Sequence, residues 1–341
     1  MYQFQCDYNE GAHQRIIERL AETNFEQTVG YGEDQYCAQA RETIKGVIGR
    51  TDADVHFLVG GTQANATVIS SVLRPHQGVL CADTGHINVH ETGAIEHSGH
   101  KVLALKHTNG LLAAETIREA MKEHLAEDGP EHTVQPGMVY ISFSSEVGTV
   151  YSLSQLKEIS DVCREYSLPL FIDGARMGYG LASEGCDVTI KAIARLADVF
   201  YIGGTKQGAL FGEAVVIVNE SLKKDFRYLI KQNGGMLAKG RLLGIQFQAL
   251  FEDGLYFETS RHAVGLALKI RDAFKAKGYA FLVESPSNQQ FPILPDDLLD
   301  SLAKDFRFSV WKKIDSTHTA VRFCTSWATR EEAVEALIEA I

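Results

Sequence analysis

The sequence lacks closely spaced cysteines. Its six cysteines are scattered along the chain as Cys6, Cys37, Cys81, Cys163, Cys186 and Cys324. This spacing is unlike that of a zinc cage or of a disulfide scaffold. We therefore expect reduced thiols, and the residues imply no metal site.

Long apolar runs and an excess of basic residues are also absent. No apolar stretch approaches the length that crosses a bilayer, and the opening MYQFQCDYNEGAH lacks the basic and then apolar pattern of a secretory signal. The chain has 33 Lys and Arg against 44 Asp and Glu, a formal net charge of −11. Such a charge repels nucleic acid and anionic membranes. We expect a cytoplasmic protein whose partners are small molecules.

What the sequence does contain is a regular alternation of apolar runs and helical patterns between about residues 55 and 220. This alternation predicts parallel strands joined by crossover helices, and thus a layered α/β domain. With 341 residues, the chain is long enough for a second, smaller domain. We expect a large domain over residues 1–240 and a small α+β domain over residues 241–341. The predicted strands of the large domain are VHFLVG, GVLCAD, HKVLALK, MVYISFS, LPLFIDGA, DVFYIGG and GEAVVIVN.

After residue 240 the pattern changes. One long helical pattern, LLGIQFQALFEDGLYFETSRHAVGLALKIRDAFKAKG, comes first. It is followed by four short apolar runs with helices between and after them: FLVES, QQFPILP, FSVWKK and AVRFCTS. These runs are the predicted strands of the small domain.

Polar residues that follow the apolar runs are candidates for a binding site, because open α/β sheets bind ligands at the carboxyl ends of their strands. Gly61 and Thr62 follow one run at the start of a helix, where backbone N–H groups and the helix dipole suit a phosphate. An ordinary strand-to-helix turn also fits these residues. His86 follows the next run, where an imidazole can stack on a planar ring, exchange protons or merely cap a turn.

Two further candidates are an acid and a lysine. Asp173 follows a buried run in FIDGAR, and such an acid needs a cationic partner or several hydrogen-bond donors. A cationic partner would be either Arg176 or a cationic ring on a ligand. Lys206 stands between IGGT and QGALFG, where it is either a solvated loop lysine or, in a dry pocket, a nucleophile with a lowered pKa. Together, the four clusters supply what is needed to hold pyridoxal phosphate.

The order of the motifs YGEDQY, GGTQAN, DTGHINVHETGA, FIDGAR, GGTKQGALFGEAVV and AVRFCT resembles the threonine aldolase and β-eliminating lyase family. This family consists of fold-type I, pyridoxal-phosphate-dependent enzymes, and the resemblance spans almost the whole chain. It implies a large cofactor-binding domain with a mixed, mostly parallel sheet, and a small C-terminal domain. It also implies a homodimer or homotetramer whose active sites lie at a subunit interface.

The resemblance implies roles in cofactor binding. Lys206 matches the lysine that attaches the cofactor, and Asp173 matches the partner of its pyridine nitrogen. His86 matches the histidine that stacks on the ring. The remaining residues implied in the cofactor site are Gly61, Thr62, Arg176 and Thr205.

The resemblance also implies how an amino acid substrate binds. Arg176 and Arg322 match arginines that bind the substrate carboxylate, as bidentate guanidinium groups are suited to do. Asp7 is a further substrate-binding candidate, and Tyr31 matches a tyrosine at the edge of the site that subunits share.

Three positions depart from the family pattern. Cys6 replaces the serine that often precedes the residue aligned with Asp7. The segment SSEVGTV lacks the second active-site histidine that many aldolases carry there. Leu237 stands where an arginine often contacts the phosphate, which leaves Lys239 or Arg241 as a substitute.

The activity that the resemblance implies is cleavage of L-threonine or L-allo-threonine to glycine and acetaldehyde. Lys206 and His86 are the implied catalytic residues, with His86, or a water that it positions, as the base for the β-hydroxyl proton. The alternatives are β-elimination or aminotransfer on another amino acid, and a catalytically silent binding protein that retains the fold. A dinucleotide-binding dehydrogenase fits less well, since GGTQAN is not G-x-G-x-x-G.

Overall fold

The fold is built on a central sheet to which each of the seven apolar runs of the large domain contributes one strand. The computed structural model describes all residues from 1 to 341. The strands, in chain order, are β1 (Tyr2–Gln3), β2 (Asp54–Leu58), β3 (Gln77–Ala82), β4 (Lys101–Leu105), β5 (Gln135–Ser142), β6 (Leu170–Asp173), β7 (Val199–Gly203), β8 (Glu213–Ile217), β9 (Gln289–Gln290), β10 (Ile293–Pro295), β11 (Phe306–Arg307), β12 (Ser309–Lys313) and β13 (His318–Cys324).

Helices connect and cover these strands. In chain order they are α1 (Gln14–Glu22), α2 (Gln35–Ile48), α3 (Gly61–Val72), α4 (His86–Val89), α5 (Ala94–His97), α6 (Ala114–Ala126), α7 (Leu153–Glu165), α8 (Met177–Leu181), α9 (Ile190–Leu196), α10 (Phe226–Gln232), α11 (Arg241–Phe251), α12 (Leu255–Ala276), α13 (Asp296–Leu302) and α14 (Glu331–Ala340). None of them is long and apolar enough to cross a membrane.

The central sheet has the strand order β2-β8-β7-β6-β5-β3-β4. Strand β8 is antiparallel to both of its neighbours, and all the other neighbouring pairs are parallel. The expectation of a mixed, mostly parallel sheet is confirmed. Because β7 and β8 are antiparallel neighbours, a short loop joins them and no crossover helix is needed. Lys206 lies in this loop.

The sheet is covered on both faces, which explains why its strands have no alternation of apolar and polar residues. Along β5, Val139 and Ile141 join one hydrophobic cluster, with residues from α2, α7 and α9. Met138 and Tyr140 point to the opposite face and join a second cluster, with residues from α3 and α10. Both faces of the strand therefore exclude water.

The C-terminal region forms a four-stranded antiparallel sheet from β9, β10, β12 and β13. The FLVES run does not form a strand, because only Phe281 pairs there, in an isolated bridge to Pro292. The long helical pattern is also interrupted. Asp253 and Gly254 have φ values of 53° and 73°, which a continuous helix cannot accommodate, so the pattern forms α11 and α12.

The N-terminal segment of the chain packs against the C-terminal region. Strand β1 pairs with β11, and Phe4 joins the C-terminal core. Helix α11 packs on α2 and α1, whereas α12 packs on α14 and α8. The division of the chain at residue 240 stays a prediction.

Candidate active site

A cavity of about 590 Å³ lies at the carboxyl ends of β3, β5, β6 and β7, beside the first turn of α3. Its size is typical of a small-molecule site. Most of the predicted site residues line it: Gly61, Thr62, His86, Asp173, Arg176, Thr205, Lys206 and Arg322. Asp7 and Tyr31 are not on its wall.

Asp173 is buried at the end of β6 and is surrounded by hydrogen-bond donors. Tyr140 Oη and Tyr201 Oη each donate to one carboxylate oxygen at 2.5 Å. Asn65 Nδ2 donates at 3.2 Å, and the Ala175 backbone N–H donates at 2.9 Å. These donors satisfy the carboxylate oxygens in a nearly dry position.

Arg176 pairs with Asp7, so the alternative in which it pairs only with Asp173 is wrong. Its Nε and Nη2 donate to the two Asp7 oxygens at 2.7 and 3.0 Å, and Asn288 donates to Asp7 at 2.9 Å. Burial raises the pKa of Asp7, but the positive charges of Arg176 and Lys206 and these hydrogen bonds outweigh burial and lower it to about 2. Asp7 therefore lies behind Arg176 and holds it on the cavity wall.

Lys206 reaches the cavity from the β7–β8 loop. Tyr179 Oη donates to the Lys206 carbonyl at 2.5 Å, and Nζ lies 5.9 Å from the centre of the Tyr8 ring. Burial and then the charge of Arg176 lower the pKa of Lys206, although Asp7 and other acids oppose the shift. A lowered pKa raises the fraction of neutral amine, which is the form that attacks an aldehyde.

Glu213 is a buried acid near Lys206 that sequence reasoning missed. It begins β8 and accepts hydrogen bonds from Thr205 Oγ1 at 3.0 Å and from the Gly204 backbone N–H at 3.2 Å. Burial raises its pKa, while the charge of Lys206 opposes the shift. The sequence feature that could have identified Glu213 is the acid at the start of the otherwise apolar run GEAVVIVN.

His86 begins α4 directly after β3 and is tied to Asp173 through two other side chains. Its Nδ1 lies 2.7 Å from Glu91 Oε1. Asn65 donates to that same Glu91 oxygen at 2.7 Å and to Asp173. If Nδ1 carries the proton and donates to Glu91, Nε2 is left as the acceptor. The network fixes the imidazole relative to the acid.

The predicted phosphate turn coincides with the start of α3. Gly61 is its first residue, and Gly60 before it provides no side-chain cap, so the first backbone N–H groups of the helix remain for a ligand. A Cβ atom at position 61 would approach Tyr201 Oη to 3.2 Å. Position 61 is therefore tight for any residue larger than glycine.

Arg322 lies on β13 and reaches the cavity from the C-terminal region. Its Nη2 donates to the Gln5 carbonyl at 2.9 Å, and its Nη1 donates to Gln289 at 3.3 Å. The guanidinium lies 5.3 Å from the centre of the Trp311 ring. Its buried Nε has no partner in the chain, and neither does Ser144 Oγ on the same cavity wall. Unpaired buried polar atoms at a cavity are a reason to expect a polar ligand.

The other candidates lie away from the cavity. Tyr31 is 47% exposed, has a φ of 60°, and borders a separate small pocket with Arg227. Lys239 is exposed. Arg241 donates to the carbonyls of Thr23 and Glu26. Neither Lys239 nor Arg241 lines the cavity of its own chain.

The site fits pyridoxal phosphate in its chemistry. The buried carboxyl group of Asp173 suits a protonated ring nitrogen, and a lysine with a lowered pKa suits an aldehyde. The uncapped first turn of α3 suits a phosphate. The mostly parallel sheet with one antiparallel strand, the acid at the end of β6 and the lysine after β7 together define a fold-type I enzyme.

Thermus thermophilus aspartate aminotransferase has this fold, with a TM-score of 0.73 at 13% identity, over 100% of this chain and 90% of that one. Pyridoxal phosphate is the general cofactor of this fold type. The family model described as "Beta-eliminating lyase" matches residues 3–289, and the chain belongs to this family of lyases. The family resemblance and the fold class inferred from the motifs are thereby confirmed.

Named relatives match nearly the full length of the chain. A low specificity L-threonine aldolase from Pseudomonas sp. (strain NCIMB 10558) is 32% identical over 340 residues, which cover 98% of this chain and 95% of that protein. The solved structure of Leishmania major threonine aldolase is 43% identical, with a TM-score of 0.97 over 99% of this chain and 98% of that one.

Proposed function

We propose that the protein is a pyridoxal-phosphate-dependent, low-specificity threonine aldolase that cleaves L-threonine or L-allo-threonine to glycine and acetaldehyde. The observation that carries the proposal is the meeting of Lys206, Asp173, His86 and Arg322 in one cavity. Full-length similarity to proteins named as threonine aldolases supports the same activity.

The cofactor would be held by residues from four separate segments. Lys206 would attach it, Asp173 would bind its ring nitrogen and His86 would stack on its ring. The turn at Gly61 and Thr62 would bind its phosphate. When bound, the cofactor supplies an electron sink for cleavage of a bond next to the substrate amine.

The protein's own side chains would position the substrate. Arg322 and Arg176 would bind the carboxylate and so orient the bond between Cα and Cβ. Asp7 keeps the Arg176 guanidinium in place. The four donors on Asp173 fix its carboxylate in place, so that it could bind a protonated ring nitrogen.

We also propose a cytoplasmic homodimer or homotetramer with shared active sites, acting on a small molecule and not on nucleic acid or a membrane. The net charge of −11 and the unpaired cysteines support this environment. Tyr31 is exposed and does not line the cavity of its own chain, which supports a role for it in the active site of a second subunit.

The first test is to change Lys206 to Ala. Visible absorbance of the protein supplied with pyridoxal phosphate, followed by borohydride reduction and peptide mass spectrometry, should place the cofactor on Lys206. Wild-type protein should release acetaldehyde and glycine from L-allo-threonine. The variant should lose about 10³-fold or more of this rate, because it lacks the nucleophile. Lys157→Ala, at an exposed position on α7 outside the cavity, is the matched control, and it should keep the rate.

The products distinguish the alternatives. A keto acid with ammonia would identify β-elimination, and a keto acid formed while a second keto acid is consumed would identify aminotransfer. Protein that gains no visible band and forms no product would be a binding protein that retains the fold. Full activity in Lys206→Ala would overturn the assignment of this lysine.

A further inference from the structure

The wall of the cavity next to His86 carries an acid, Glu146, to which no role has been given so far. It lies in the segment that follows β5 and is half-buried. Its Oε1 accepts the His86 backbone N–H at 2.9 Å and the Ser142 hydroxyl at 2.7 Å. Its Oε2 accepts no hydrogen bond from the protein and is not sealed from the cavity.

The other acids of the cavity are already engaged. Asp173 accepts four hydrogen bonds. Both oxygens of Glu213 accept from donors in the β7–β8 loop. Glu91, behind His86, is in contact with His86 and Asn65 through Oε1, and its Oε2, which has no partner, is buried away from the cavity wall. Of these acids, Glu146 combines a position on the wall with an oxygen free to bind a substrate.

The two histidines on the wall are less suited to take a proton. His86 is oriented by Glu91 through Nδ1 and is the residue expected to lie over the cofactor ring. Its ring is 5.6 Å from that of His90. Burial, followed by the neighbouring charge of His86, lowers the pKa of His90. Burial has the opposite effect on a carboxyl group and raises the pKa of Glu146, which makes its carboxylate a stronger base than an exposed carboxylate. The choice between Glu146 and the histidines rests on the free Oε2 of Glu146 and not on these shifts.

We propose that Glu146 is the general base that takes the β-hydroxyl proton of the substrate through Oε2. This inference rests on the proposed function. Glu146 lies in SSEVGTV, the segment that has no histidine, and it would supply there the proton acceptor that the segment otherwise lacks.

The step balances without an oxidant or reductant. The β-oxygen loses its proton to Glu146 Oε2, and its electron pair forms the carbonyl bond of the aldehyde. The bond between Cα and Cβ breaks, and its electron pair stays with Cα, which gains a proton to become the methylene of glycine. One proton is thus taken from oxygen and one is delivered to carbon.

The test compares two reactions at the same site, of which only one requires removal of a β-hydroxyl proton. One is acetaldehyde release from L-allo-threonine. The other is exchange of the glycine α-protons with D₂O, followed by proton NMR. Glu146→Gln retains the Oε1 acceptor for His86 and Ser142 but removes the base, so cleavage should fall by about 10²–10⁴-fold while exchange is unchanged.

Two controls separate catalysis from folding. Glu96→Gln changes an exposed acid outside the cavity and should alter neither reaction. Titration of each apoprotein with pyridoxal phosphate, followed by protein fluorescence, should give the same dissociation constant for Glu146→Gln as for the wild type. This readout does not depend on turnover.

Each remaining outcome overturns a defined statement. An equal loss of cleavage and exchange in Glu146→Gln would show that Glu146 only positions His86, and unchanged cleavage would show that another group is the base. Either result overturns the inference and leaves the proposed function intact. Wild-type protein that exchanges glycine protons but releases no acetaldehyde would overturn the proposed function, and this inference with it.

Discussion

At the scale of single residues, the acids around the cavity differ because their partners differ. Asp7 faces a guanidinium, and its pKa is lowered to about 2. Glu213 is held by a hydroxyl and a backbone N–H, and burial raises its pKa. Both are almost inaccessible to solvent. A full positive charge in direct contact therefore outweighs burial and lowers the pKa of an acid, whereas burial without such a contact raises it.

The pair between Asp7 and Arg176 leads to a prediction about stability. Asp7→Asn leaves a buried guanidinium without a counter-charge and should lower the free energy of unfolding at pH 7 by about 3–5 kcal/mol. Asp52→Asn, which removes an exposed partner of Arg50, should lower the free energy of unfolding much less, because solvent screens an exposed pair. Urea unfolding followed by circular dichroism measures both. Equal costs would mean that burial of the pair has no energetic consequence.

The same pair predicts a dependence on acid. The pKa of Asp7 is about 2 in the folded chain, against an ordinary value of 3.8. Its stabilising contribution is therefore present above pH 3.8 and is lost as the pH falls through about 2. Asp7→Asn should flatten the loss of stability over this interval relative to the wild type. A slope as steep as that of the wild type would assign acid sensitivity to other carboxylates.

Single residues also show how far the sequence alone can be interpreted. Asp173, Lys206 and His86 were found because each follows an apolar run. The tyrosines on Asp173 were not found, since Tyr140 and Tyr201 lie 33 and 28 residues away from it in sequence. They flank the acid only because β5 and β7 are the neighbours of β6. That strand order follows from packing of the whole sheet, which local patterns do not specify.

At the scale of elements, the same limit applies to the helices. The pattern from Leu242 onward continues across Asp253 and Gly254 with no loss of apolar spacing, so it predicts one helix. The left-handed φ values at these two residues redirect the chain between two packing partners. Helix α11 can then lie on α2 while α12 reaches α8 and α14. Seven strands, in contrast, were predicted correctly because burial on both faces leaves a continuous apolar run.

Two glycines in these helices should respond in opposite ways to the same substitution. A Cβ atom at Gly244 of α11 would lie 2.5 Å from the backbone nitrogen of Cys37 in α2, whereas one at Gly265 of α12 would meet nothing within 4 Å. Gly244→Ala should therefore force the helices apart and destabilise by about 1–3 kcal/mol. Gly265→Ala should raise the free energy of unfolding by about 0.5–1 kcal/mol, because alanine has a higher helix propensity than glycine at an exposed position.

Urea unfolding of the two variants measures these free energies. Since the substitution and the helical setting are the same, the difference in sign isolates the contact between α11 and α2. Stabilisation by both substitutions would mean that the helices separate at no cost. The prediction would then be wrong about how tightly this contact is packed.

At the scale of the whole molecule, apolar side chains are exposed near Tyr31. Phe25 is 94% exposed, Val29 is 67% exposed, and Tyr228 on α10 is 76% exposed. Arg227, next to Tyr228, donates to the Tyr31 carbonyl at 3.4 Å, which brings α10 against this segment. Exposed aromatic and aliphatic groups concentrated in one region favour association between protein chains.

The proposed oligomer predicts that each active site contains residues from two chains, which a measurement of mass alone does not test. Light scattering coupled to size exclusion should give two or four times the chain mass of 37.6 kDa. If Tyr31 enters the partner's cavity, Lys206→Ala and Tyr31→Ala should each be impaired, while a refolded mixture of both should regain activity. In a mixed dimer, one site contains both altered residues and the other contains neither.

Statistical mixing of equal amounts makes about half of the dimers mixed, so about a quarter of all sites should be intact. Recovery to about a quarter of the wild-type rate therefore requires that Lys206 and Tyr31 of one site come from different chains. No recovery, in a mixture whose mass confirms exchange of subunits, would place both residues in the site of one chain. Tyr31 does not line the cavity of its own chain, so it would then have to move across the surface to reach that cavity.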